Sequence, residues 1–185
     1  LTGDVLVRTG LSRKFLDVAE ALTNFTKGGF GSATVLVCGM FAAISGSDAA
    51  GAAVVGRMTI ARLVEAGYPR PYACALVAAG ACTGILIPPS IAYIIIGLVL
   101  GISASTLFLA ALIPGVAILL SILITNLIVN RIYGYEGGGN MTFAEWGTNL
   151  IRSLKTGWYA FIVPGIIFYG IFSGRRTPTE AGATA

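Results

Sequence analysis

The sequence predicts an all-α integral membrane protein, a multi-span helical bundle with a re-entrant helical hairpin and a discontinuous helix. Three observations carry that prediction. Of 185 residues, 56% are hydrophobic and only 11% charged, with mean hydropathy +0.85, whereas a soluble domain carries about 25% charge. Several uncharged runs each reach bilayer length. Finally, the stretch from Tyr72 to Gly101 has no charged residue and exceeds by roughly half the ~20 residues of a spanning helix, yet Gly84-Ile85-Leu86-Ile87-Pro88-Pro89-Ser90 interrupts its centre.

Residues 1–10 resemble the tail of a preceding span plus a turn. Over 12–26 an amphipathic helix is predicted, with Ser12 as N-cap. Leu11, Phe15, Val18, Leu22 and Phe25 recur at spacings of three and four, opposite Arg13, Lys14, Asp17, Glu20 and Asn24. Such a helix is expected along the membrane surface. Lys27-Gly28-Gly29 opens an apolar run, 30–44, that ends in Ser45-Gly46-Ser47-Asp48. A small-residue run, 49–56, follows, and then the basic positions Arg57, Arg62 and Arg70. Each arm is short for a span, and basic residues stand at both outer ends, as the cytoplasmic side prefers. Residues 28–66 therefore suit a re-entrant hairpin; the alternative is one continuous span across 30–56 with a polar kink.

Next comes the broken helix, 72–100. Adjacent prolines remove two backbone donors and disfavour helical geometry at Ile87. In lipid such a break is tolerated only where protein covers it or where it lines a polar cavity. Gly97 and Gly101 form a GxxxG step that permits close helix contact. A clean span is predicted over 106–131, and a turn-rich linker from Tyr133 to Asn140. Thr142-Phe143-Ala144-Glu145 is a capping box opening a second amphipathic helix, 142–156. Residues 158–174 suit a short last span, although Arg175-Arg176 then falls on the non-cytoplasmic side, against the charge rule. The chain opens at Leu1 rather than Met and closes on small residues resembling the start of another helix, so it is expected to be a piece of a longer membrane protein.

Composition also excludes function classes. The net charge is +4, without the dense basic stripe and interleaved aromatics of a nucleic-acid binder. There is no histidine, which removes a Ser-His dyad, an HExxH zinc site and a His relay from these residues. Cys38, Cys74 and Cys82 form no metal-ligand spacing and are expected as buried small hydrophobes. An enzyme is not expected, and no cofactor beyond a coupling ion.

Three constellations remain. At the proposed hairpin tip, Ser45, Gly46 and Ser47 allow a sharp turn and offer the carbonyl and hydroxyl oxygens that a hard cation such as Na⁺ takes. Asp48 is a costly carboxylate within a membrane; it suits a cation ligand, a coupling acid, an arginine partner or a water-exposed acid at a cavity mouth. Around Thr83-Gly84 and Pro88-Pro89-Ser90, one half-helix ends in carbonyls and another starts with amides, suiting a cation on one side and an anion on the other. Ser90 either caps its half-helix or also touches substrate. The third, Thr177-Pro178-Thr179-Glu180, has the pattern of a capped helix entry.

Taken in order, Lys27-Gly28-Gly29-Phe30, Ile44-Ser45-Gly46-Ser47, Ala66-Gly67-Tyr68, Ile87-Pro88-Pro89-Ser90 and Thr177-Pro178-Thr179-Glu180-Ala181 resemble the large membrane subunit of tripartite ATP-independent periplasmic (TRAP) transporters, the DctM-like permeases. The resemblance spans nearly the whole chain and covers the first of two inverted halves. It implies a multi-pass subunit of the bacterial inner membrane that imports carboxylates, C4-dicarboxylates or related organic acids, driven by Na⁺. A periplasmic substrate-binding protein and a small membrane subunit are the implied partners, and an elevator movement the implied mechanism. Carried onto this chain, the Na⁺ site is Ser45, Gly46, Ser47, Gly84, Pro88 and Pro89, and the substrate side is Ser47, Asp48 and Ser90. Asp48 departs from the small or hydroxyl residues more usual there, as Arg175-Arg176 does before Thr177. The competing expectation is a symporter of the same wider fold group that needs no binding protein.

Overall fold

The computed structural model describes residues 11–23 and 28–136, together with positions 165 and 169. The expected segments 1–10, 142–156 and 158–174, with Arg175-Arg176 and Thr177 to Glu180, lie outside those residues. Among the described residues every regular element is a helix: α1 (Leu11–Thr23), α2 (Gly29–Ser45), α3 (Asp48–Glu65), α4 (Arg70–Ala81), α5 (Thr83–Leu86), α6 (Ile91–Leu100) and α7 (Ala104–Tyr133).

The first of these, α1, packs against α2. Its buried face is Phe15, Leu16, Val18 and Ala19. Phe15, Leu16 and Ala19 share one apolar cluster with Ala33, Val37, Cys38 and Phe41 of α2 and Val54 and Val55 of α3. The face expected to rest on lipid is thus covered by protein, and Leu22, expected within it, is exposed. Helical structure already includes Leu11, so Ser12 sits inside α1 rather than capping it.

Only Gly46 and Ser47 separate α2 from α3, which folds back along it. Gly46 has φ +58°, a left-handed conformation that glycine adopts without steric cost. Close packing continues toward α4, where a Cβ on Gly80 would lie 3.0 Å from Cys38 Sγ. Cys38 is buried as expected, but Cys74 and Cys82 are exposed, which corrects that expectation for two of the three thiols.

The segment Arg70–Leu100 holds three helices. Pro69 precedes α4 and Pro71 lies in its first turn, where the missing amide costs no helical bond. A turn at Cys82 divides α4 from α5, an irregularity the sequence pattern did not announce. Ile87 and Ser90 are extended, and the Pro88–Pro89 peptide is cis. Helix α6 then runs to Gly101, whose φ of +67° closes it in the usual left-handed way. The expected GxxxG contact is different in kind. A Cβ on Gly97 would meet the Ile102 carbonyl oxygen at 2.8 Å, whereas Gly101 has nothing within 4 Å. Gly97 makes room for the turn into α7, and Gly101 makes that turn.

Helix α7 is 30 residues long, about 45 Å at 1.5 Å per residue, against a hydrocarbon core of about 30 Å. Its most apolar stretch has mean hydropathy 2.8, and that of Arg70–Leu100 has 2.1. Both segments are long and apolar enough to cross a membrane by length and composition. Leu98, Val99 and Ile113 are exposed by 79%, 78% and 78%, so these elements turn many branched apolar side chains outward. Pro114 interrupts the ladder of α7. Beside it, a Cβ on Gly115 would lie 3.1 Å from Leu86 Cβ and 3.2 Å from its carbonyl oxygen. The long helix therefore passes directly behind the end of α5.

Candidate functional site: the hairpin tip and the broken helix

The fold brings the first two constellations together. A Cβ on Gly46 would collide with the Pro89 carbonyl oxygen and lie 3.4 Å from Ser90 Cα. On the other flank, a Cβ on Gly84 would lie 2.7 Å from Asp48 Oδ1, 3.0 Å from Asp48 N and 3.1 Å from the Ser47 carbonyl carbon. Bare backbone on each side permits this approach. Ser45 to Asp48 and Gly84 to Ser90 consequently form one junction of two chain breaks.

Polar atoms in the junction are loosely satisfied. The Ser45 hydroxyl donates to the Ser47 carbonyl at 3.4 Å and accepts from Ser47 N–H at 3.4 Å. Ser47 is the N-cap of α3 and accepts from Ala50 N–H at 3.5 Å, beyond the common N–H···O range. Ser90 occupies the N-cap position of α6 without a side-chain cap bond. It is fully buried, and its Oγ has no hydrogen-bond partner. The capping role open to Ser90 is therefore not taken, and a buried orphan hydroxyl calls for an explanation. Asp48 differs from these: Ile85 N–H donates to its Oδ1 at 2.8 Å.

A second polar cluster lies at the other end of the hairpin, where the sequence suggested only a linker and a clean span. The Glu136 carboxylate accepts Phe30 N–H at 3.0 and 3.1 Å, and so caps the first turn of α2. It also accepts the Tyr68 hydroxyl at 3.0 Å. Asn130 Oδ1 accepts Glu136 N–H at 3.0 Å. One turn earlier, Asn126 donates to Ser32 Oγ at 3.1 Å and accepts the Tyr72 hydroxyl at 3.2 Å. Both asparagines are buried. Two amides four residues apart on one helical face of an otherwise apolar span were the available signal. Burial, and then the adjacent Glu136 charge, push the Tyr68 hydroxyl well above the ordinary tyrosine range, so it stays protonated as a donor. Rings of Tyr68, Tyr72 and Tyr135 pack around it at centroid distances of 5.6–5.8 Å. At the edge of this base, Arg62 stacks 4.6 Å from the Phe30 ring centroid and pairs with Glu20 of α1 at 2.9 Å.

Comparison with known proteins matches all of residues 1–185 to the family described as tripartite ATP-independent periplasmic transporter, DctM component. The chain belongs to the DctM family. The C4-dicarboxylate TRAP transporter large permease protein DctM of Pseudomonas aeruginosa is 35% identical over 185 residues, which is all of this chain and 42% of that protein. The isethionate TRAP transporter permease protein DctMQ of Oleidesulfovibrio alaskensis is 35% identical over 176 residues, 95% of this chain and 27% of the relative. The sialic acid TRAP transporter large permease protein SiaM of Vibrio cholerae is 32% identical over 186 residues, covering all of this chain and 42% of that protein. The chain thus spans less than half the length of the curated relatives it matches. The relatives are named as permease proteins of TRAP transporters.

Proposed function

We propose that this chain is part of the large subunit of a Na⁺-coupled importer of small organic anions, and that the tip junction is where ion and substrate meet. The observation that carries this reading is the fully buried, unpartnered Ser90 hydroxyl beside the turn at Gly46. A hydroxyl left without a partner in a protein interior is costly, and an anionic substrate group accepting from it would satisfy it. Ser45 Oγ and the Ser47 carbonyl oxygen, 3.4 Å apart, are spaced like neighbouring ligands of a hard cation with contacts of about 2.4 Å. Their weak mutual bond is easily exchanged for an ion. Ser45, Gly46, Ser47, Gly84, Pro88 and Pro89 make the ion side, mostly through main-chain oxygens.

Ser47 and Ser90 make the substrate side. Relatives are named for C4-dicarboxylate, isethionate and sialic acid, whose common feature is an anionic group. An anion 4 Å from a carboxylate would be disfavoured by about 4 kcal/mol at an effective dielectric constant near 20. That sets the substrate toward the two serines and away from Asp48. The α2–α3 hairpin enters and leaves on the cytoplasmic side of the inner membrane, and it moves with the broken helix as the sliding block of an elevator. A small membrane subunit and a periplasmic binding protein complete the system.

The test is uptake by the full-length permease, reconstituted with both partners in proteoliposomes. Uptake is expected to require an inward Na⁺ gradient and the loaded binding protein. Ser47→Ala, Ser90→Ala and Pro88-Pro89→Ala-Ala are each expected to cut uptake while leaving membrane insertion intact. Transport that ignores Na⁺, or normal transport by all three variants, rejects this assignment; transport without the binding protein rejects the tripartite mechanism.

A further inference from the structure

Asp48 is the only charged residue in the two segments that meet, Ser45 to Asp48 and Thr83 to Ser90. Its bond to Ile85 N–H, at 2.8 Å, is the shortest hydrogen bond between the hairpin and the broken helix among the described residues. Ile85 lies in the four-residue α5, whose amides have no partner within that helix. Asp48 is also the first residue of α3, where a negative charge complements the helix dipole. The carboxylate therefore meets a backbone donor on one side and the positive end of α3 on the other.

The surrounding geometry is fitted to this role. Gly84 has no Cβ, and one placed there would overlap Asp48 Oδ1 at 2.7 Å. The missing side chain is what lets the acid reach past residue 84 to the next amide. By contrast, the oxygens that suit a cation are the loosely bonded Ser45 hydroxyl and Ser47 carbonyl nearby.

We propose that Asp48 is a positioning residue that fixes the hairpin tip in register with the broken helix through Ile85 N–H, and that it neither ligates the cation nor carries a coupling proton. This rests on the reading of the junction as the ion and substrate site. What the ion then experiences is a site whose two halves are already aligned, which lowers the ordering cost of binding.

Two conservative substitutions separate positioning from charge. Asp48→Asn keeps an acceptor oxygen at the same reach and removes the charge. Asp48→Glu keeps the charge and lengthens the arm by one methylene. The first readout is hydrogen exchange of the amides of Ile85 to Ile87 in the full permease complex in nanodiscs, without Na⁺. The second is the Na⁺ concentration giving half-maximal uptake, together with the charge moved per substrate, in proteoliposomes. Asp48→Asn, which keeps a neutral acceptor, should raise exchange and the half-maximal Na⁺ concentration by about threefold, and Asp48→Glu by about tenfold, the scale of one lost charge-assisted hydrogen bond. Charge moved per substrate should be unchanged in both.

The opposite order, with Asp48→Glu near wild type and Asp48→Asn impaired, overturns the proposal, as does any loss of charge per substrate in Asp48→Asn. If wild-type uptake proves independent of Na⁺, the functional reading fails. The exchange arm still decides whether Asp48 clamps the two segments.

Discussion

At the tip of the α2–α3 hairpin the hydrogen bonds of Ser45 and Ser47 side chains run from 3.4 to 3.5 Å, whereas at its base the Glu136 carboxylate is gripped at 3.0 Å by Tyr68 and at 3.0 and 3.1 Å by Phe30 N–H. The tip holds an orphan hydroxyl at Ser90; the base ties three parts of the chain through Glu136 and two buried asparagines. Glycine and serine leave main-chain atoms reachable at the tip. At the base, long polar side chains and aromatic rings cover them. The same hairpin therefore combines an end that can exchange partners with an end that holds its own. A polar group in an apolar medium is costly unless paired, and the proposed function assigns the orphan Ser90 hydroxyl a ligand for that reason.

The strongest consequence concerns Gly46. Alanine there faces a left-handed backbone, worth about 1–2 kcal/mol, and also the Pro89 carbonyl oxygen, so the tip must move. A shift on the scale of 1 Å in a binding constellation can cost roughly 100-fold in rate, and uptake by Gly46→Ala should fall on that order while assembly with the partners persists. Gly101→Ala is the matched control. It has a similar φ of +67° with nothing within 4 Å, so it carries the backbone strain without the collision. Equal transport loss in the two variants would show that strain anywhere in the bundle suffices, and the tip would lose its special standing.

Glu136 tests the other end. Glu136→Ala leaves Phe30 N–H and the Tyr68 hydroxyl without their charged acceptor, which should lower stability by about 2–3 kcal/mol. Glu136→Gln retains an acceptor oxygen and should lose roughly half as much. The readout is the melting temperature of the full permease in mild detergent. The Na⁺ concentration for half-maximal uptake, measured per folded permease, should stay unchanged. A shift in that constant with stability intact would mean that the base shares in ion binding.

How far these two ends were legible in the sequence follows from how each is made. The tip was legible because Ser-Gly-Ser and Pro-Pro act on their own backbone, and local rules about turns and missing donors need no knowledge of neighbours. That Gly46 would face Pro89, and Gly84 would face Asp48, was not legible from spacing, since close approach depends on the path of both segments. The base escaped altogether, because Asn126, Asn130 and Glu136 acquire meaning only when α7 returns beside Gly28 and Tyr68. Helix α1 shows an intermediate case. Its periodicity gave the correct element over nearly the correct residues. What covers the apolar stripe was misjudged, because an amphipathic pattern suits protein and lipid equally well.

The smallest effect expected belongs to the rim of the base, where Glu20 pairs with Arg62 at 2.9 Å. Burial raises the Glu20 carboxyl above its ordinary value, and the attraction of Arg62 only partly offsets this. A raised acid favours the neutral form in the folded state. Its stabilising share is complete below about pH 4.5 and is lost as pH rises through the shifted value. The side chains are 26% and 49% exposed, so solvent screens the pair and its net worth is within about 1 kcal/mol. Glu20→Gln should therefore leave the melting temperature at pH 7 unchanged or slightly higher, and should flatten its decline between pH 4.5 and 7. Arg62→Gln should do the reverse, steepening that decline by leaving the acid unpaired. A Glu20→Gln variant that melts lower at pH 7 than wild type, with no difference at pH 4.5, would make the pair a net stabiliser.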